Sequence, residues 1–144
     1  MRKPLVLALA ILLLAPSLAQ AAVCNVKLLA TVVNQCENAT KAHSYIVQAS
    51  MCESAAEQWS YCAPEASAVH YDAALVEQAY YLSLAGLGLS KAHVGEDVRA
   101  NEHMRVSRRI AQAALKRGIT GEVKELAETE VEAATLFFKN HGAR

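Results

Sequence analysis

Past its first sixteen residues this chain has a single proline, Pro64, and only 6% of its 144 residues are aromatic. Asn-Gly and Asp-Gly dipeptides are missing, as is any long alternation of β-branched residues, so the usual signals of a hairpin-rich sheet protein are absent. No Lys or Arg stands between Lys41 and Lys91. The chain as a whole carries no excess of basic over acidic residues, which argues against nucleic acid as a partner. Cys-x-x-Cys, His-x-x-x-His, Gly-x-Ser-x-Gly and Glu-x-x-His are all lacking, which removes the local signatures of thiol redox chemistry, zinc proteases, serine hydrolases and carboxylate-bridged di-iron bundles. The glycines of Gly86-Leu-Gly88-Leu-Ser-Lys91 match no phosphate-loop fingerprint, and no strand precedes them.

The N-terminus is the most specific feature present. Arg2 and Lys3 precede an apolar run from Leu5 to Ala15, and Ala19-Gln20-Ala21 follows. This is the pattern of a Sec-type signal peptide cleaved after Ala21. The run falls short of the roughly 20 apolar residues that span a bilayer. Lipidation of Cys24 is a weaker alternative, because Ala21-Ala22-Val23 lacks a leucine three positions back and a small residue directly ahead. Removing residues 1–21 leaves a single domain over 22–144, with 12 basic against 14 acidic side chains. The expected location is periplasmic or secreted, an oxidising setting in which cysteines pair.

Ala, Leu, Glu, Gln and Lys dominate the remainder, which favours helix. Five segments are expected: Val23–Glu37, Tyr45–Tyr61, Asp72–Val94, Glu96–Arg117 and Gly121–Asn140, with a polar connection at Asn38–Ser44. Ser50-x-x-Glu53 and Ser54-x-x-Glu57 are candidate capping boxes. The third segment is apolar on all sides between Ala79 and Leu89, as suits the centre of a bundle. Gly86 and Gly88 within it weaken a helix by roughly 1 kcal/mol each, so close contact with another helix is expected there. Gly95 and Gly118 read as helix stops.

Four cysteines allow three pairings. Joining Cys24 to Cys36 within one helix would bridge about 18 Å at 1.5 Å per residue, far beyond the reach of a disulfide. In an antiparallel hairpin, facing residues have a constant sum of sequence numbers. Cys24 with Cys62 and Cys36 with Cys52 give 86 and 88, whereas the crossed pairs give 76 and 98. The nested pairs are predicted, with a turn near His43 and Ser44. The fold expected is therefore all-α, a small disulfide-stapled bundle of four to five helices.

Several residues are candidates for function. At 100° per residue His103 falls with Val106, Ile110 and Ala114 on the apolar face of the fourth helix. Glu130 sits between Val123, Ala134 and Phe137 on the fifth, where a carboxylate needs an arginine or histidine partner or a proton. Arg105, Arg108, Arg109 and Lys116 form an opposite basic stripe suited to an acidic partner or, less favoured, an anionic membrane surface. The sequence calls for no cofactor and shows no catalytic signature. The reading is an exported interaction module that binds another envelope protein as an inhibitor, immunity-type protein, chaperone or adaptor. The alternative is a bundle carrying a metal, haem or small apolar molecule, with His70, His93, His103, Met51 and Met104 as conceivable ligands.

Overall fold

The computed structural model describes residues 23–92 and 95–141. The signal-peptide segment and His93 lie outside the described residues. Five α-helices and one short 3-10 turn make up the rest, with no strand among the described residues: α1 Val26–Lys41, α2 Tyr45–Cys62, the turn Ala63–Glu65, α3 Ala68–Ala92, α4 Asp97–Lys116 and α5 Gly121–His141. None of these helices is long and apolar enough to cross a membrane.

Local chemistry sets the helix boundaries. Asn25 caps α1, its side-chain oxygen accepting from Leu28 N at 3.0 Å, so α1 begins three residues later than the sequence reading placed it. It also runs on through Asn38–Lys41, because those polar residues lie beside buried Ala39 and Thr40 donates its hydroxyl to Cys36 O at 2.9 Å. The α1–α2 connection shrinks to three residues. There His43 takes a left-handed conformation, φ 55°. Ser44 N donates to Ala39 O and His43 N to Thr40 O, a Schellman arrangement built without glycine. The two candidate capping boxes do not cap: α2 starts at Tyr45, and Ser54 donates back to Ser50 O from mid-helix. Pro64 occupies the first turn of the 3-10 segment, where its missing N–H costs nothing.

Helix α3 is the centre and touches all four others. Its glycines are where backbones meet. A Cβ on Gly88 would lie 2.9 Å from both Ala49 N and Tyr45 O of α2, and one on Gly86 would lie 3.0 Å from the Met104 side chain and 3.1 Å from Ala100 O of α4. Gly118, with φ 82°, lies just past the end of α4, and α5 returns after a four-residue connection, 117–120, as the second arm of an antiparallel hairpin. Alanines fill the seam between α3 and this hairpin: Ala79, Ala111, Ala114 and Ala127 are wholly buried around Val76.

Both nested disulfides are present, Cys24–Cys62 and Cys36–Cys52, with Cα separations of 4.5 and 4.8 Å. Cys36 and Cys52 are fully buried in the α1–α2–α3 core with Val32, Ala55 and Tyr81. Cys24 spends its sulfur on Cys62, which leaves none for a lipid thioether. Two such bonds suit an oxidising, extracytoplasmic compartment.

Candidate functional site

Beside the outer disulfide, the first three helices enclose a groove of about 550 Å³. It is lined by Val26 and Leu29 of α1, Trp59 and Cys62 of α2, and Ala66, His70, Ala73 and Glu77 further along the chain. The lining is mostly apolar. The turn after α2 shapes its end: Pro64 swings the chain out so that Glu65 accepts from Cys24 N at 3.2 Å. His70 is tied down by its own first turn, with Nδ1 2.8 Å from Ser67 Oγ. Val26 is 70% exposed and Val23, beside Cys24, is 73% exposed, so apolar surface continues out of the groove. Glu77 has no hydrogen-bonded or ion-paired partner among the described residues. Burial, and then the negative charge of Glu37 on α1, push its carboxyl above the ordinary range.

A second polar cluster joins α2 to α4. Glu53 accepts from the Arg99 guanidinium and lies 2.5 Å from His103 Nε2. Shallow clefts flank it on either side, one reaching Ile46 and Leu89, the other Gln78 and Leu82. His103 is not in the buried stripe of α4. That stripe is Ala100, Met104, Ser107, Ala111 and Ala114, one residue round from the expected His103–Val106–Ile110 face. Small residues let α4 approach α3 closely, and the larger Val106 and Ile110 flank the contact. His103 stands at its edge, with its side chain 19% exposed.

Glu130 is buried as its position in the sequence implied, at 3% exposure. The expected arginine or histidine partner is not there: among the described residues its carboxylate joins no ion pair. Ser83 and Ser107 are its polar neighbours and favour the ionised form, but desolvation outweighs them and pushes its pKa up to about 7. Both hydroxyls already donate elsewhere, Ser83 to Tyr80 O and Ser107 to Ala79 O, leaving Glu130 Oε2 without a partner. A protonated Glu130 suits this setting, since its O–H has serine oxygens to donate to.

The basic stripe divides by role. Arg105 pairs with Glu102 one turn back at 2.8 Å, and Arg108 stacks over the Phe138 ring of α5 at 5.1 Å. Arg109 and Lys116 are exposed and join no ion pair among the described residues. Arg117, outside the stripe, bonds Asp72 of α3 at 2.6 Å.

The conceivable metal or haem ligands are not brought together. Met104 is fully buried against Gly86, Met51 packs on the α1–α2–α3 core, and His70 and His103 bond to Ser67 and Glu53. Among the described residues no group of three or more His, Cys, Asp or Glu side chains is arranged to hold a metal.

Sequence reasoning missed Trp59, Glu77 and the hub role of Glu53. A signal for the first two was available: the sole tryptophan stands three residues before Cys62, in a stretch with carboxylates and no cation. Comparison with protein-family models, curated proteins and solved structures finds no match.

Proposed function

We propose that this chain is exported on a signal peptide removed after Ala21 and works in the periplasm or outside the cell as a helical interaction module. It binds another envelope protein as an inhibitor, immunity-type protein, chaperone or adaptor. The observation that carries this reading is the apolar groove of about 550 Å³ between α1, α2 and α3, continuous with exposed Val26. Apolar surface left open beside a covalently braced wall is what a partner segment covers. The brace matters for affinity, because a preformed groove loses little entropy on binding.

Photo-crosslinking in the exporting cells tests it. A benzoylphenylalanine at Val26 is expected to trap one protein species, identified by mass spectrometry, which rebinds the purified chain. The same probe at Arg109 should not trap it, and Ala73→Phe, which fills the groove, should abolish the adduct. Equal trapping at both positions, or none at Val26, would sink the reading.

The groove volume also falls within the range that small-molecule sites occupy, roughly 300–1,000 Å³. That supports a second reading as a carrier of a small apolar molecule. Native mass spectrometry of the purified chain separates the two: a co-purifying small mass favours the carrier.

A further inference from the structure

The charges around the groove define its occupant more closely. Apart from Glu65, which is already engaged with Cys24 N, the charged group in the lining is Glu77. The α2 and α3 walls come from a stretch with no Lys or Arg from 42 to 90. Arg117 is held by Asp72 of α3, and Lys27 of α1, beside Val26, is exposed and forms no ion pair with Glu77 among the described residues. Glu37 of α1 adds a second negative charge close to Glu77, and among the described residues it accepts only from the Tyr81 hydroxyl, at 3.3 Å.

This arrangement discriminates among occupants. A purely apolar segment laid over the groove would strip more water from Glu77 and give it nothing in return. An acidic segment would add repulsion. A segment with apolar side chains and one cation covers the apolar walls and supplies the missing counter-charge, so the other two classes are selected against by the same carboxylate. We infer that the groove receives a segment of a partner protein whose apolar side chains lie on Val26, Leu29 and Trp59 and whose lysine or arginine pairs with Glu77. The inference rests on the groove being the partner surface.

Trp59, the only tryptophan of the chain and part of the groove lining, is a built-in reporter. The probes are short tryptophan-free peptides of leucine and phenylalanine carrying one lysine, norleucine or glutamate, titrated into the full mature chain while Trp59 emission is followed. The lysine peptide is expected to bind about tenfold more tightly than the norleucine one, a partly buried charge pair of ordinary strength, and the glutamate peptide most weakly. Glu77→Gln should erase the lysine preference while norleucine binding persists. Raising salt on the unaltered chain should weaken only the lysine peptide, which keeps the test valid should the variant fold poorly. Equal binding of lysine and norleucine peptides would overturn the cation pairing and leave the groove reading standing. Failure of every peptide to perturb Trp59 would overturn both.

Discussion

The two helical hairpins of this molecule are held together by different means. In α4–α5 a buried stripe of Ala100, Met104, Ser107, Ala111 and Ala114 faces Ala127, Glu130, Ala134 and Phe137, with exposed charges behind. That is ordinary amphipathic packing, and it carries no covalent link. In α1–α2 the pattern is almost inverted on the second helix. The buried face of α2 is Gln48, Ala49, Cys52, Ala55, Ala56 and Cys62, while Ile46 and Val47 are 66% and 51% exposed. Hydrophobic area alone does not orient such a helix. Two disulfides and the backbone contact at Gly88 do, and Gln48 adds a hydrogen bond from Nε2 to Leu84 O at 2.8 Å. Where the apolar pattern is weak, covalent and steric constraints set the register.

Reduction breaks this contrast most severely. On the loop-closure relation, bonds spanning 38 and 16 residues contribute about 4 and about 3 kcal/mol. With both gone, the melting temperature should fall by tens of degrees, and amide exchange should show α1 and α2 opening before α4 and α5. Loss of protection spread evenly over all five helices would mean that the hairpins are one cooperative unit and the contrast is empty.

The unstapled hairpin has its own weak point in Glu130. Its folded pKa of about 7 stands above the ordinary 4.5, so the folded chain holds a proton that the unfolded chain has released between those values. Glu130's contribution to stability is therefore greatest below about pH 4.5, declines as pH rises to about 7, and stays lower beyond, by roughly 3 kcal/mol at 1.36 kcal/mol per unit. Chemical denaturation across pH 4 to 8 should show this decline in the native chain and lose it in Glu130→Gln. A variant that keeps the slope would assign it to other groups.

How much of this was legible in the sequence follows from the same contrast. The amphipathic pattern and Gly118 stop of α4–α5 mark that hairpin directly, and the constant-sum rule for the cysteines fixes α1–α2 where its apolar pattern does not. Gly86 and Gly88 announced close contact. The face of α4 came out one residue off, because size matters as well as polarity: Ala100 and Ser107 are chosen for closeness, and Val106 and Ile110 look more apolar than their places require. The partner of Glu130 was misjudged because an arginine-rich neighbouring helix suggests an ion pair, whereas Arg99, Arg105 and Arg108 are engaged by Glu53, Glu102 and Phe138. The groove was illegible because three separate helices and a turn build it, with no motif in any one of them.

The glycines sharpen the comparison at smaller energy. Gly88→Ala drives a Cβ to 2.9 Å from α2 backbone, which cannot rotate away, whereas a Cβ on Gly86 would meet the Met104 side chain at 3.0 Å and the backbone Ala100 O less closely, at 3.1 Å. Overpacking of a tight core costs about 1–3 kcal/mol, offset by about 1 kcal/mol of helix propensity. Gly88→Ala should lose about 2 kcal/mol by denaturant titration, and Gly86→Ala no more than half of that. The reverse order would mean that the α3–α4 contact, and not α2–α3, is the tighter one.

The smallest effect belongs to the basic stripe. Arg105 is half exposed and paired only within its own helix, and Arg109 is exposed. Such surface charges contribute within about 0.5 kcal/mol. Charge reversal at both, Arg105→Glu with Arg109→Glu, should move the melting temperature by no more than a degree or two. The same double variant should leave peptide binding at the α1–α2–α3 groove unaltered, since the groove is built by other helices. Unchanged melting with lost partner binding in cells would transfer recognition to α4, making the amphipathic hairpin the reader and the stapled one its support. Unchanged melting with binding intact would leave the stripe a solvated face, and the stapled hairpin, which turns Val26, Ile46 and Val47 outward, the surface a partner covers.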